Sequence, residues 1–138
     1  METSRIGVVG ERVAEVYLKK IGHRILKKNF RKKWGEIDII SISPDGVLVF
    51  TEVKSSLLTS GTPLVSSEDH MTSKKIHSLR KMSEFFFNRY KDISDNGFRI
   101  DFISVRVPKE KIILLSRLPS QLLTRFIKCC DVSVTENI

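Results

Sequence analysis

Apolar residues near the start of the chain recur at helical spacing. At 100° per residue, Ile6, Val9, Val13, Val16, Tyr17 and Ile21 make one stripe, which predicts a helix over 3–21. Gly7, Ala14 and Leu18 form a shoulder beside it. Glu11 lies on the edge of that shoulder among small residues, whereas Glu15 lies opposite the stripe, in solvent. Glu11 is thus the acid able to approach something buried. The pattern then changes to strands: 23–30 with basic residues on its open face, followed by 36–42 and 47–54. A Ser-, Thr-, Gly- and Pro-rich stretch over 55–67 reads as a long loop. Helical spacing returns over 68–91 at Ile76, Leu79, Met82, Phe86 and Tyr90, and Phe85-Phe86-Phe87 reads as core rather than a base-stacking platform. After the break at Asp95-Asn96-Gly97, 98–107 and 111–116 read as a further hairpin, and a short helix starts at Ser120. The order is α-β-β-β-α-β-β-α, helices packed on a mixed sheet in one domain spanning 1–138.

The turn between the two central strands sets their register. In Ser43-Pro44-Asp45-Gly46-Val47, proline presets the first loop position, aspartate tolerates the second and glycine can take the left-handed third. That is the composition of a three-residue loop closing on a bulge. If Ser43 pairs with Val47, Ile42 meets Leu48, Ile40 meets Phe50, Asp38 lies opposite Glu52 and Glu36 opposite Lys54. A two-residue loop would instead put Asp38 on a face with Val47, Val49 and Val53, burying a charge among branched apolar residues. Cross-strand partners have Cβ atoms roughly 4.5–5.5 Å apart. Two carboxylates at that distance repel unless a cation sits between them.

Charge sharpens this picture. The 138 residues carry 24 Lys and Arg against 16 Asp and Glu, a net charge of +8. From Lys19 to Lys33 the basic residues are Lys19, Lys20, Arg24, Lys27, Lys28, Arg31, Lys32 and Lys33, with no acid among them. That concentration fits a polyanion, and nucleic acid before an anionic membrane, because the basic run does not coincide with a strongly amphipathic helix. A solvated basic surface is the plain alternative. No apolar run approaches the roughly 20 residues of a membrane span, and the N-terminus lacks the apolar region of a signal peptide, so a cytoplasmic protein is expected. Cys129 and Cys130 are adjacent, lack partners at zinc-like spacing, and read as reduced thiols on a C-terminal helix.

The acids point to phosphodiester chemistry. Such hydrolysis needs a hard divalent cation, which prefers oxygen ligands and lowers the pKa of a bound water. Asp38, Glu52 and the Val53 carbonyl could supply ligands, and Lys54 could orient water or stabilise charge developing at phosphorus. Glu36, Asp38, Glu52 and Lys54 could equally form a surface ion network. Lys74 and Lys75 begin a helix and could meet phosphate. Asp101 sits beside Arg99 in the strand alternation, an ion pair by spacing. His23, His70 and His77 lack the i,i+4 pairing of a metal helix and read as surface residues. No Gly-rich phosphate cradle and no Gly-x-Ser-x-Gly elbow occurs.

Taken in order, Gly10-Glu11, Ala14, Tyr17-Leu18, Gly22, Ile25-Leu26, Asn29, Arg31, Gly35-Glu36-Ile37-Asp38 and Glu52-Val53-Lys54 resemble the YraN-like family of predicted endonucleases. That family belongs to the PD-(D/E)XK superfamily and is similar in motif order to archaeal Holliday-junction resolvases. Lys75 with Leu79, and Arg99 with Asp101, fit its later positions. The resemblance implies a restriction-endonuclease-like α/β fold, a mixed central sheet flanked by helices. It implies catalytic roles for Asp38, Glu52 and Lys54, with Glu11 the helix acid near the metal and Glu36 supporting. It further implies Mg²⁺ (or Mn²⁺) as cofactor, DNA rather than RNA as partner, branched DNA included, and a homodimer as one way to cut two strands. Lys27, Lys28, Arg31, Lys32, Lys33 and Lys75 are the expected nucleic-acid contacts. Relatives often carry a basic residue shortly after Glu-x-Lys, where this chain has Ser55-Ser56. A non-catalytic nucleic-acid-binding module and a protein-docking subunit are the competing functions.

Overall fold

The computed structural model describes residues 2–58 and 72–138. Five strands form one sheet in the order β1-β2-β3-β4-β5: β1 (Arg24–Lys32), β2 (Gly35–Ile42), β3 (Leu48–Leu58), β4 (Phe98–Pro108) and β5 (Asp131–Thr135). Neighbours run antiparallel except β3 and β4, which pair in parallel from Leu48–Phe98 to Leu58–Pro108. Helices cover both faces. On one, α1 (Glu2–Lys20), α3 (Ile112–Arg117) and α4 (Ser120–Phe126) bring Val9, Val13, Leu18, Leu115 and Leu123 against Ile39, Ile103 and Val105. On the other, α2 (Ser73–Arg89) packs Leu79, Met82 and Phe86 on Ile37, Ile40, Phe50 and Ile100. Strands covered on both sides read as near-continuous apolar runs, and β4 does so through Ile100, Phe102, Ile103, Val105 and Val107.

The central hairpin closes as its turn residues dictate. The Ser43 N–H donates to the Val47 carbonyl at 2.9 Å, the Ser43 hydroxyl bonds Asp45, and Gly46 takes φ +81°. Only glycine adopts that conformation without a Cβ penalty. The resulting register is the expected one, with Ile42 opposite Leu48 and Ile40 opposite Phe50. The ladder stops one step later, at Ile39 and Thr51, so Asp38 and Glu52 lie just beyond its last pair and Glu36 is not paired with Lys54.

Four elements differ from expectation. Residues 111–116 are not a strand: Ile112 and Leu115, three apart, are the buried pair of α3. The fifth strand is β5 instead, an antiparallel edge beside β4. Cys129 therefore ends a short 3₁₀ turn and Cys130 leads into β5, rather than both lying on a helix. β3 runs on to Leu58, four residues into the expected loop. The rest of that loop, His70 and the first residues of the expected 68–91 helix lie outside the described residues. The helix proper starts at Ser73, where the Thr72 hydroxyl accepts the Lys75 N–H at 3.1 Å and satisfies one of the free donors of the first turn.

One close approach positions α1. A Cβ on Gly10 would fall 1.7 Å from Ser55 Oγ and 2.6 Å from Ser55 Cβ, so only glycine lets the helix lie this near β3. Gly7, one turn earlier, has no heavy atom within 4 Å of such a Cβ. Alanine gains roughly 1 kcal/mol of helix propensity over glycine at either position. Gly7→Ala is expected to raise stability by up to that amount. Gly10→Ala should lower it by about 1–3 kcal/mol, because overpacking outweighs propensity. Urea denaturation of the two variants checks this, and similar midpoints would contradict it.

Candidate functional site

Where β2 and β3 part, a side chain takes over from the backbone. The Val53 N–H donates to Asp38 Oδ2 at 2.8 Å. The pleat of β2 breaks at the same residue: Ile37 and Ile39, which a regular strand would place on one face, pack in opposite layers. Asn29 on β1 lies across from Asp38, between the pairs Lys28–Ile39 and Phe30–Ile37, and adopts φ +52°. That left-handed conformation is one asparagine tolerates better than most residues. The Asn29 side chain stands close enough to Glu11 of α1 to lower its carboxyl against the rise that burial imposes. Helix α1, β1, β2 and β3 thus converge on one cleft, with Glu11, Asn29, Asp38 and Glu52 contributed in that order.

The electrostatics follow from burial. Asp38 is 6 % and Glu52 8 % exposed. Desolvation first, and the Glu52 charge second, push Asp38 up to about 7, against the Val53 hydrogen bond and the Lys75 charge. Glu11 is likewise held above its ordinary value, by burial and then by Asp38 and Glu36. Glu52 Oε1 lies 2.7 Å from Lys75 Nζ on the first turn of α2. Two buried carboxylates of like charge are oxygen donors suited to a hard divalent cation, which would relieve their repulsion. Among the described residues no third Asp, Glu, His or Cys closes on them tightly enough to complete a ligand set. An ion held here would draw on Asp38 and Glu52, with water or substrate oxygens for the remainder. The Val53 backbone is engaged through its N–H.

The other candidates fall into two groups. Lys54 follows Val53 on β3 and is exposed at the same opening. Glu36 is exposed and pairs with Arg31 at 3.1 Å, its cross-strand neighbour on β1. Lys27, Lys28, Arg31, Lys32 and Lys33 are exposed along β1 and its turn, as the basic run suggested. Two assignments need correction. Glu15 is not free in solvent: Lys19 at 3.2 Å and Lys28 at 3.0 Å hold its carboxylate, 18 % exposed. They line a recess of about 320 Å³ between α1 and α4 that contains none of the cleft residues. His23 is not a surface residue but is buried, its Nδ1 2.9 Å from Ser41 Oγ, while His77 is exposed. Asp101 is bound by Arg99 at 3.1 Å and by the Asn137 N–H at 3.0 Å, a structural tie between β4 and the C-terminus. Asn29 entered the sequence reading only through the family resemblance, because the left-handed angle it adopts has no signature in composition.

Five strands in one mixed sheet, helices on both faces and acids at the opening of the central hairpin define an α/β protein of the arrangement expected for a restriction-endonuclease-like fold. A sequence model described as "Uncharacterised protein family UPF0102" matches residues 10–105, from the tight glycine of α1 to the middle of β4. The chain is 39% identical over 110 residues to a UPF0102 protein of Alkaliphilus oremlandii, covering 78% of this chain and 89% of the relative. It is 38% identical over 112 residues to one from Campylobacter fetus subsp. fetus, 78% and 88% covered. With one from Desulforamulus reducens the identity is 33% over 110 residues, 80% and 88% covered. The chain belongs to the UPF0102 family, the YraN family of the sequence resemblance.

The state of Asp38 sets a pH dependence. Its folded pKa of about 7 lies above the ordinary 3.8, so between those values the folded protein holds a proton that the unfolded chain has released. Stability contributed by this group therefore falls as pH rises through that window. Asp38→Asn keeps an acceptor for the Val53 N–H and removes the charge. At pH 8 in chelator it is expected to be more stable than the parent by on the order of a few kcal/mol, and close to it at pH 4. Urea denaturation at both pH values reads this. A parent protein that gains stability from pH 5 to pH 8 relative to the variant would overturn it.

Proposed function

We propose that this protein is a divalent-metal-dependent endonuclease acting on DNA. The observation that carries the reading is the buried Asp38–Glu52 pair, desolvated and mutually repelling, at the edge of an exposed basic surface. Mg²⁺ or Mn²⁺ between these acids would supply charge neutralisation at the scissile phosphate and a water of lowered pKa. The chain's own groups do the rest. Asp38 is fixed in orientation by the Val53 N–H. Glu52 is positioned on β3, with Lys75 compensating its charge. Lys54, exposed beside them, is placed to stabilise negative charge developing on phosphate oxygens. Glu11, its carboxyl held above the ordinary value by burial and the Asp38 charge, can exchange a proton at the cleft wall. Lys27, Lys32 and Lys33 offer phosphate contacts whose contribution falls with salt.

A second reading, a nucleic-acid-binding module without turnover, is favoured by one observation. Lys75 already neutralises Glu52 at 2.7 Å, and no third ligand closes the site among the described residues. Calorimetric titration with Mn²⁺ separates the two, since a binding module has no need of the ion.

The enzymatic reading predicts Mg²⁺-dependent nicking or cleavage of labelled duplex, forked or branched DNA that stops in chelator. Asp38→Asn, Glu52→Gln and Lys54→Ala should each lower the rate by about a hundredfold or more. Cleavage undiminished in Asp38→Asn would show that the activity comes from elsewhere.

A further inference from the structure

The only tryptophan of the chain sits outside the core, at the tip of the two-residue turn that joins β1 to β2. Trp34 is 48% exposed and meets Phe85 of α2 edge to face, ring centroids 5.6 Å apart at 88°. Phe85 is itself 37% exposed. Lys32 Nζ lies 5.2 Å from the Phe85 ring centre and 5.7 Å from that of Phe30, whose ring also carries Lys27 Nζ at 5.5 Å. Among the described residues no carboxylate pairs with Lys27, Lys32 or Lys33. Scattered exposed apolar residues are ordinary, but two aromatic rings in contact, with an unpaired cation over one of them, are not a scatter.

We propose that Trp34 and Phe85, with Lys27, Lys32 and Lys33 around them, form a stacking platform for an unpaired base of DNA. The substrate of the adjacent site is then DNA with a single-stranded or splayed stretch beside the cleavage point. This deepens the endonuclease reading and rests on it. The chemistry selects the ligand. Intact duplex offers lysines its phosphates but keeps its base faces stacked inside, so it would leave Trp34 unused. An unpaired base offers both a π-face and a flanking phosphate, and stacking on an aromatic ring tolerates any base. The geometry links the platform to the acids. Trp34 stands in the turn just before β2 and precedes Asp38 by four residues, at most about 13 Å of chain at the rise of a strand, a span of a few nucleotides. The Trp34 ring is held by Phe85 rather than free to turn, so little order is lost when a base stacks on it.

Because Trp34 is the sole tryptophan, its fluorescence reports on this place alone. The full chain, in chelator so that no cleavage occurs, is titrated with a short single strand, a blunt duplex and a fork carrying unpaired arms, with anisotropy reading binding in parallel. Quenching is expected with the fork and the single strand and not with the blunt duplex. Trp34→Ala should weaken fork binding by about tenfold to a hundredfold, the range of one base–aromatic stack, and leave duplex binding unchanged. Trp34→Phe should restore most of the loss. Equal quenching by blunt duplex, equal loss of fork and duplex binding in Trp34→Ala, or a response only to anionic phospholipid vesicles would each overturn the platform. Fork-selective quenching without any Mg²⁺-dependent cleavage would uphold the platform and sink the nuclease. Cleavage of blunt duplex that ignores Trp34→Ala would do the reverse.

Discussion

The bond from the Val53 N–H to the Asp38 carboxylate is the contact on which the site depends. Antiparallel strands normally satisfy each N–H with a facing carbonyl. Once β2 and β3 separate beyond Ile39 and Thr51, the Val53 donor would be left bare, at a cost of about 1–3 kcal/mol if buried. Asp38 meets that need with a side chain. The same residue then carries a carboxylate into the cleft, where Glu52 stands next in line on β3. Strand separation and charge concentration are thus one structural event rather than two. Burial and the Glu52 charge raise the pKa of Asp38 as a consequence.

The neighbouring elements are arranged around this opening. Gly10 allows α1 to lie against β3 at Ser55, which brings Glu11 within range of the Asp38 charge. Asn29, opposite Asp38, absorbs the irregularity of the β1–β2 ladder in its left-handed backbone and holds the Glu11 carboxyl lower than burial alone would. Such backbone outliers persist where their surroundings over-determine them, often at functional sites. On the far side, α2 begins at a Thr72 cap that aims its first turn, and with it Lys75, at Glu52. Each of these devices costs something locally. Together they hold two acids in a place where apolar packing alone would exclude them.

Much of this was legible in the chain, and the reasons for the exceptions are physical. Pro44-Asp45-Gly46 specified the hairpin register because each residue admits only certain dihedral angles, and Ile40 and Ile42 met the predicted partners. The phase of α1 placed Val9 and Val13 in the core and Glu11 near the acids. It was blind to Glu15, whose partner Lys28 comes from another element. The run Ile112-Ile113-Leu114-Leu115 is apolar throughout, so period alone could not tell strand from helix. The chain uses only Ile112 and Leu115 as buried contacts. Asp131–Thr135 carries a two-residue alternation, but five residues at an edge make a faint signal. His23 has a partner, Ser41, that becomes its neighbour only when β1 and β2 pair. The edge-to-face contact of Trp34 with Phe85 joins residues fifty-one positions apart. The clue to Trp34 lay in the sequence all the same: a lone tryptophan closing a basic run.

The proposed sharing of a cation by Asp38 and Glu52 is open to direct test. A crystal grown with Mn²⁺, its anomalous scattering recorded at the manganese edge, asks this directly. One strong peak bridged by carboxylate oxygens of Asp38 and Glu52 is expected. Crystals that take up manganese elsewhere, or not at all, and leave Lys75 on Glu52 would contradict it.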